Sequence, residues 1–253
     1  VAARDENVLR AEGFREGLAR TIVTERWAPE ALARVDPNAS SGSPTAAARD
    51  TLCEMLATLE AKPEAATAAE EAWRGVAAAA EIATVTRDED RGARVDPPGA
   101  ARARAFHDAL LAAARARNGA RGVSDASSTG WVGAKFATPL LAATTRASSS
   151  FDRAHATLIA SFVEAHGAAC LPGGDARALA ARCLEKSRSS KPTDAGFEPA
   201  TDAAATVLAS IARAAPETWD ETLDALAAPG EDAAERRRAL AAILEKLEDT
   251  LDE

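Results

Sequence analysis

The sequence contains few of the residues that favour β-sheets. It has no tyrosine, one methionine and only 4% aromatic residues, although 47% of its residues are hydrophobic. Alanine, which has the highest helix propensity, occurs nearly everywhere, whereas valine and isoleucine are sparse. The composition therefore predicts an all-α protein.

Cysteine is also scarce, and long apolar runs are absent. The three cysteines, Cys53, Cys170 and Cys183, cannot form an evenly paired disulfide framework, which favours a reducing compartment. We find neither a signal peptide after Val1 nor an apolar stretch long enough to cross a bilayer. We therefore expect a soluble intracellular chain with no membrane partner, one or both ends of which belong to a longer protein.

Basic residues are outnumbered by acidic ones, which gives a formal net charge of -9. A nucleic-acid-binding protein normally needs a basic surface, so no direct nucleic-acid partner is expected. Basic protein partners remain open, although the need for solubility also explains the charge.

No pattern of catalytic or metal-binding residues stands out. His166, Cys170 and Cys183 suggest zinc, but a structural zinc site needs a fourth ligand, which the sequence does not offer. The segment Gly130–Lys135 lacks both the spacing of a phosphate-binding loop and a preceding strand. His107 and His155 are interpreted as half-buried helix residues. We therefore expect no enzyme activity and no cofactor.

What the sequence does contain is helical periodicity. Its centre, Phe136–Ala169, reads as two antiparallel helices, the first of which has Pro139 in its opening turn. The second is expected to be capped by Ser150 and ended by Gly167. Its apolar stripe predicts that Leu158 and Phe162 are buried.

About ten helices can be traced along the chain, in pairs that recur every 35 to 50 residues. They are predicted near residues 5–27, 45–61, 63–86, 101–117, 136–147, 150–167, 175–187, 201–214, 216–228 and 232–249. This spacing is typical of HEAT and armadillo repeats, so a right-handed α-solenoid of stacked antiparallel pairs is predicted; an ordinary helical bundle is the alternative. A single segment, 1–253, is expected, with flexible loops at about 36–44, 87–99, 118–132 and 187–199.

Four blocks, in the same order, resemble the middle of nuclear transport receptors of the importin-β superfamily, the transportin-SR subgroup in particular. They are Phe14-Arg15 and the helix that follows, Ala68–Glu81, the pair Phe151–His166 and Ala176–Ser187, and Ala200–Ala228. The chain departs from the pattern by an insertion at about 105–130 and by His155 at a position where arginine is expected. Because such receptors are far longer, the resemblance covers only a central part of one.

The resemblance implies a scaffold, found in the cytoplasm and the nucleus, that carries protein cargo through nuclear pores under the control of the small GTPase Ran. Asp220, Glu221 and Asp224 are the acidic residues expected to receive basic cargo segments. The alternative is a generic HEAT or armadillo scaffold, or an adaptor subunit of a larger complex, with no transport role. If the chain is a fragment, an apolar patch involving Leu247 or Leu251 is expected at its carboxy-terminal end.

Overall fold

The computed structural model describes most of the chain between residues 44 and 245. The described residues are 44–61, 66–88, 92–119, 125–147, 153–171, 176–189, 197–214, 216, 219, 223, 224, 227, 234, 237, 238 and 240–245. The helix predicted near residues 5–27 lies outside these ranges, as do Ser150, Leu247 and Leu251. The predicted cap and the predicted carboxy-terminal patch therefore lie outside the described residues.

The described residues are mostly helical, which confirms the all-α class at that level. The α-helices are α1 (Pro44–Glu60), α2 (Ala66–Thr84), α3 (Pro97–Gly119), α4 (Asp125–Val132), α5 (Thr138–Ala147), α6 (Arg153–His166), α7 (Ala176–Ser189) and α8 (Phe197–Ala214). A π-helical turn, Gly133–Ala137, joins α4 to α5, and a short 3₁₀ turn, Ala168–Cys170, follows α6. In the described part of the chain, no helix is both long and apolar enough to cross a membrane.

Two short strands were not predicted. β1 (Val85–Asp88) follows α2 directly and pairs with β2 (Gly92–Val95) in a two-stranded sheet. The prediction of a loop at 87–99 was wrong, because this range contains β2 and the start of α3 at Pro97. Proline is favoured in the first turn of a helix, where its missing N–H leaves no hydrogen bond unmade.

The other loop predictions also need correction at their boundaries. α4 occupies Asp125–Val132 within the predicted loop 118–132. α7 continues to Ser189, and α8 already begins at Phe197, so both overlap the predicted loop 187–199. α1 begins at Pro44, the last residue of the predicted loop 36–44.

The chain divides into two compact units, each with its own buried side chains. The first contains residues up to 86 and residues 98–140. Its core includes Leu52 and Val76, together with the tilted ring pair of Phe106 and Phe136, whose centroids lie 5.4 Å apart. Along each helix of this unit, the buried side chains recur at three- and four-residue intervals, which explains why each helix buries one face.

The second unit contains residues 87–97 and 141–253, and its described core is centred on α8. This helix is apolar on nearly every side: Ala203–Ala205, Val207–Ala209 and Ile211 are all buried. It packs against both α6 and α7. A helix that is hydrophobic all round is typically buried, so α8, rather than the predicted central pair, occupies the middle of this unit.

α6 confirms the predicted burial of its stripe. Leu158 and Phe162 are both fully buried, and the helix packs most extensively against α8. Gly167 ends α6 as predicted: it has φ 71°, and its N–H donates to Val163 O at 2.7 Å. This left-handed conformation allows the chain to turn after the last helical residue.

Candidate functional site

A polar arrangement of several side chains joins the end of α1 to the π-helical turn of the first unit. Lys135 Nζ donates to Glu60 Oε1 at 2.8 Å and to Glu60 Oε2 at 2.7 Å. The Lys135 and Glu60 side chains are 28% and 18% exposed, so the ion pair is partly desolvated but still reachable from solvent. Such a pair is electrostatically stronger than a fully hydrated one.

Two tryptophans complete this arrangement. Trp73 Nε1, on α2, donates to Glu60 Oε2 at 3.3 Å. The Trp73 ring is almost fully buried, and its centroid lies 5.3 Å from that of Trp131, with the ring planes tilted by 54°. We call Glu60, Trp73, Trp131 and Lys135 the Glu60 cluster. A tilted ring pair at this distance is a favourable aromatic geometry.

The π-helical turn that carries Lys135 has a local cause. The helical structure continues without a break from Asp125 to Ala147. Pro139 therefore lies in the interior of a helix and not, as the sequence predicted, in an opening turn. In an α-helix the proline ring would clash with the carbonyl group four residues earlier, here that of Lys135. The helix widens just before this point, and Thr138 N–H donates to Gly133 O, five residues back. π-turns of this kind are frequent at functional sites.

The lysine of the rejected phosphate-loop candidate has another role in the structure. Gly130–Lys135 is helical, and Lys135 is held by the carboxylate of Glu60. Glu60 was not singled out, and it lies 75 residues from Lys135, so no local signal could have paired them. Only Pro139, inside an apolar helical pattern, marked the segment as unusual.

Of the three predicted partner-binding residues, only Asp224 is described. It is helical and exposed, which suits a residue that meets a partner but does not single it out among other exposed carboxylates. Asp220 and Glu221 lie outside the described residues. Their role remains a prediction.

The candidate zinc ligands do not form a ligand set. Cys170 Sγ donates to Gly167 O at 3.2 Å, and burial raises the pKa of its thiol to about 12. Cys183 is fully buried, and burial likewise raises its pKa far above the ordinary value. Among the described residues, no group of three or more His, Cys, Asp or Glu side chains could hold a metal ion. These thiols remain protonated near neutral pH.

The two histidines on apolar helix faces are more buried than predicted. His107 is 1% exposed, and its Nδ1 lies 3.4 Å from Asp108 Oδ1. Its ring is stacked on that of Phe136. His155 is fully buried in α6; burial first, and then the positive charge of Arg182, lower its pKa to about 4. A neutral imidazole in this position is a core residue of the second unit.

Chemically, the Glu60 cluster can bind a cation. It offers a carboxylate whose orientation is fixed by the indole N–H of Trp73, and the Trp73 ring lies against that of Trp131. In the structure that cation is the ammonium group of Lys135.

Comparison of the chain with protein-family models, with curated proteins and with solved structures gave no match. The resemblance to nuclear transport receptors therefore has no support beyond the residues that suggested it.

Proposed function

We propose that this chain is a protein-binding helical scaffold that receives basic segments of partner proteins. The observation that supports this best is the packing of the second unit. α7 and α8, consecutive in the chain, pack against each other, and α8 also packs against α6. In helical-repeat proteins each helix pair likewise covers the preceding one, and the stack presents an extended binding surface.

The charge of the chain favours basic partners. A net charge of -9 attracts cationic segments and accelerates their association. Exposed carboxylates such as Asp224 supply the contacts, and Asp220 and Glu221 belong to the same proposed surface. Contacts of this kind determine specificity and association rate more than affinity.

The specific form of the proposal is a HEAT-type, right-handed solenoid segment of an importin-β-type nuclear transport receptor. It would carry protein cargo between cytoplasm and nucleus, with Ran·GTP shifting the protein between states of different cargo affinity. The alternative is a static scaffold or adaptor subunit in which no nucleotide changes the affinity.

A titration with a fluorescent oligo-arginine peptide tests the general proposal. We expect binding at low ionic strength that weakens as salt is added, because the exposed charges are screened. Asp224→Lys should weaken binding about two- to fivefold, the effect of one exposed charge contact. Glu185→Lys is the matched control, since Glu185 is an exposed carboxylate of α7 in the same unit. Absence of binding at low salt would contradict the proposal.

A second titration separates the two forms of the proposal. The full-length protein is titrated with the same peptide in the presence of Ran·GTP, with Ran·GDP as the control. A transport receptor should change its affinity for the peptide only with Ran·GTP. Equal affinities in both titrations would favour the static scaffold.

A further inference from the structure

The carboxylate of Glu60 is built as a receptor for a positively charged side chain, and its present occupant comes from the same chain. We infer that the Glu60 cluster is a binding site for an arginine or lysine of a partner protein, closed in the free chain by Lys135. This inference rests on the proposed function, because it names where one basic residue of such a partner is held.

The hydrogen bonds at Glu60 show why the site would accept another cation. A carboxylate has about four acceptor positions. Lys135 Nζ uses one on each oxygen, and Trp73 Nε1 uses another on Oε2. The indole bond does not involve Lys135, so the carboxylate stays oriented when the lysine leaves. An arginine could then bind both oxygens through its planar guanidinium, which fits a carboxylate better than an ammonium group does.

The aromatic side chains add a surface for the rest of the ligand. The Trp73 ring is buried, but Trp131 is only half-buried. The exposed part of Trp131 can cover the aliphatic stem of an incoming arginine or lysine, and indole rings attract cations. The site thus selects basic side chains by charge and by shape.

Lys135 can leave without a large rearrangement. Its side chain is partly exposed and ends a flexible four-carbon stem. An ion pair that simply opened would leave Glu60 as a partly buried, uncompensated charge, which is unfavourable. A partner's cation removes that cost because it replaces Lys135 at the same carboxylate. Lys135 therefore acts as an internal competitor and keeps the site closed until a basic segment arrives.

Variants of the two charged residues test this directly with the oligo-arginine peptide. Lys135→Gln removes the competitor and should tighten binding about fivefold, the factor expected for the loss of a partly exposed ion pair. Arg146→Gln, at an exposed arginine of α5, changes the net charge equally and should change binding less. Glu60→Gln should weaken binding at least about fivefold relative to Glu54→Gln, which removes the same charge from an exposed position of α1.

A measurement on the unmodified chain does not depend on how the variants fold. The rate at which an acylating reagent modifies Lys135 is followed by peptide mass spectrometry, with and without saturating oligo-arginine peptide whose amino terminus is blocked. Displacement of Lys135 from Glu60 should accelerate its modification several-fold, while the other lysines of the chain react at unchanged rates. An unchanged or slower rate at Lys135 overturns the inference.

The outcomes distinguish this inference from the function on which it rests. If the peptide binds and Asp224→Lys weakens binding, but Lys135→Gln and Glu60→Gln behave like their controls, the Glu60 cluster is only a structural ion pair. If the peptide does not bind the parent chain or any variant, the proposed function fails as well.

Discussion

The same substitution, glycine to alanine, should have three different effects in this protein. Gly130 lies in α4 with no heavy atom within 4 Å of an added methyl group. Gly167 also has open space around it, but its φ of +71° is unfavourable for any residue with a Cβ. At Gly99, in the first turn of α3, a methyl group would overlap the carbonyl oxygen of Ala83 and lie 2.8 Å from Thr84 Cα.

The magnitudes follow from these surroundings. Gly130→Ala should stabilise the first unit by about 0.5–1 kcal/mol, the difference in helix propensity between the two residues. Gly167→Ala should destabilise the second unit by about 1 kcal/mol, because the left-handed conformation costs an alanine about 1–2 kcal/mol and the stiffer unfolded chain offsets part of this. Gly99→Ala should cost about 3 kcal/mol or more, since rigid backbone atoms of α2 must move.

Urea denaturation followed by circular dichroism measures the three free energies of unfolding. Hydrogen exchange then assigns each change to the first or the second unit. Wild-type stability of Gly99→Ala would refute the close approach of α3 to the end of α2. A destabilising Gly130→Ala would show that this position is not an exposed helical one.

Three further predictions concern other parts of the fold. Phe162→Ala should lower the free energy of unfolding by about 3–5 kcal/mol in a denaturant titration, because the Phe162 side chain is fully buried. The control Glu164→Ala should lower it by less than about 1 kcal/mol. A small effect of Phe162→Ala would mean that this face of α6 is not in the core. The pKa of His155 is lowered from about 6.5 in the unfolded chain to about 4 in the folded one. Between these values the unfolded chain binds the proton more tightly, so stability is fully present above pH 6.5. About 3 kcal/mol of the free energy of unfolding should be lost as the pH falls from 6.5 to 4. His155→Leu should remove that part of the pH dependence, and an unchanged profile would contradict the burial of His155. A double-mutant cycle of Glu60→Gln and Lys135→Gln should give a coupling free energy near 1 kcal/mol that decreases with salt; additive effects would exclude a significant ion pair.

The sequence predicted helices well where apolar residues followed a regular helical period. The buried face of α6 was predicted correctly around Leu158 and Phe162. Ile82 shows why the residue type alone is insufficient: it is hydrophobic and lies in α2, but its side chain is 76% exposed. At 3.6 residues per turn it lies nearly opposite the buried Ala80, so its position in the period, rather than its hydrophobicity, determines its exposure.

The helix boundaries were less predictable, because proline occurs in loops, in the first turn of a helix and, where the helix widens, in its interior. Pro97 and Pro98 were taken as the end of a loop, but they form the first turn of α3. Pro139 was taken as the start of a helix, but it lies inside one that widens to accommodate it. In each case the decision depends on the preceding segment, which a local pattern does not include.

The candidate site could hardly be predicted from the sequence. Glu60 and Lys135 belong to different helical segments, and their contact depends on how α1, α2 and the π-helical turn pack. Charged residues at this separation have no shared periodicity. Asp224 was chosen from its charge and the family resemblance, and the structure establishes only that it is exposed.

The buried cysteines also provide each unit with its own reporter of unfolding. Cys53 lies in the first unit, and Cys170 and Cys183 lie in the second; all three are free, buried thiols whose pKa values are raised by burial. Only an exposed thiolate can attack a thiol reagent, so each cysteine reacts only when the structure around it opens. Labelling at increasing denaturant concentration therefore reveals whether the units open together or in succession. Simultaneous labelling of Cys53 and Cys183 would mean that the two cores unfold as one cooperative body, and sequential labelling that each can open while the other stays folded.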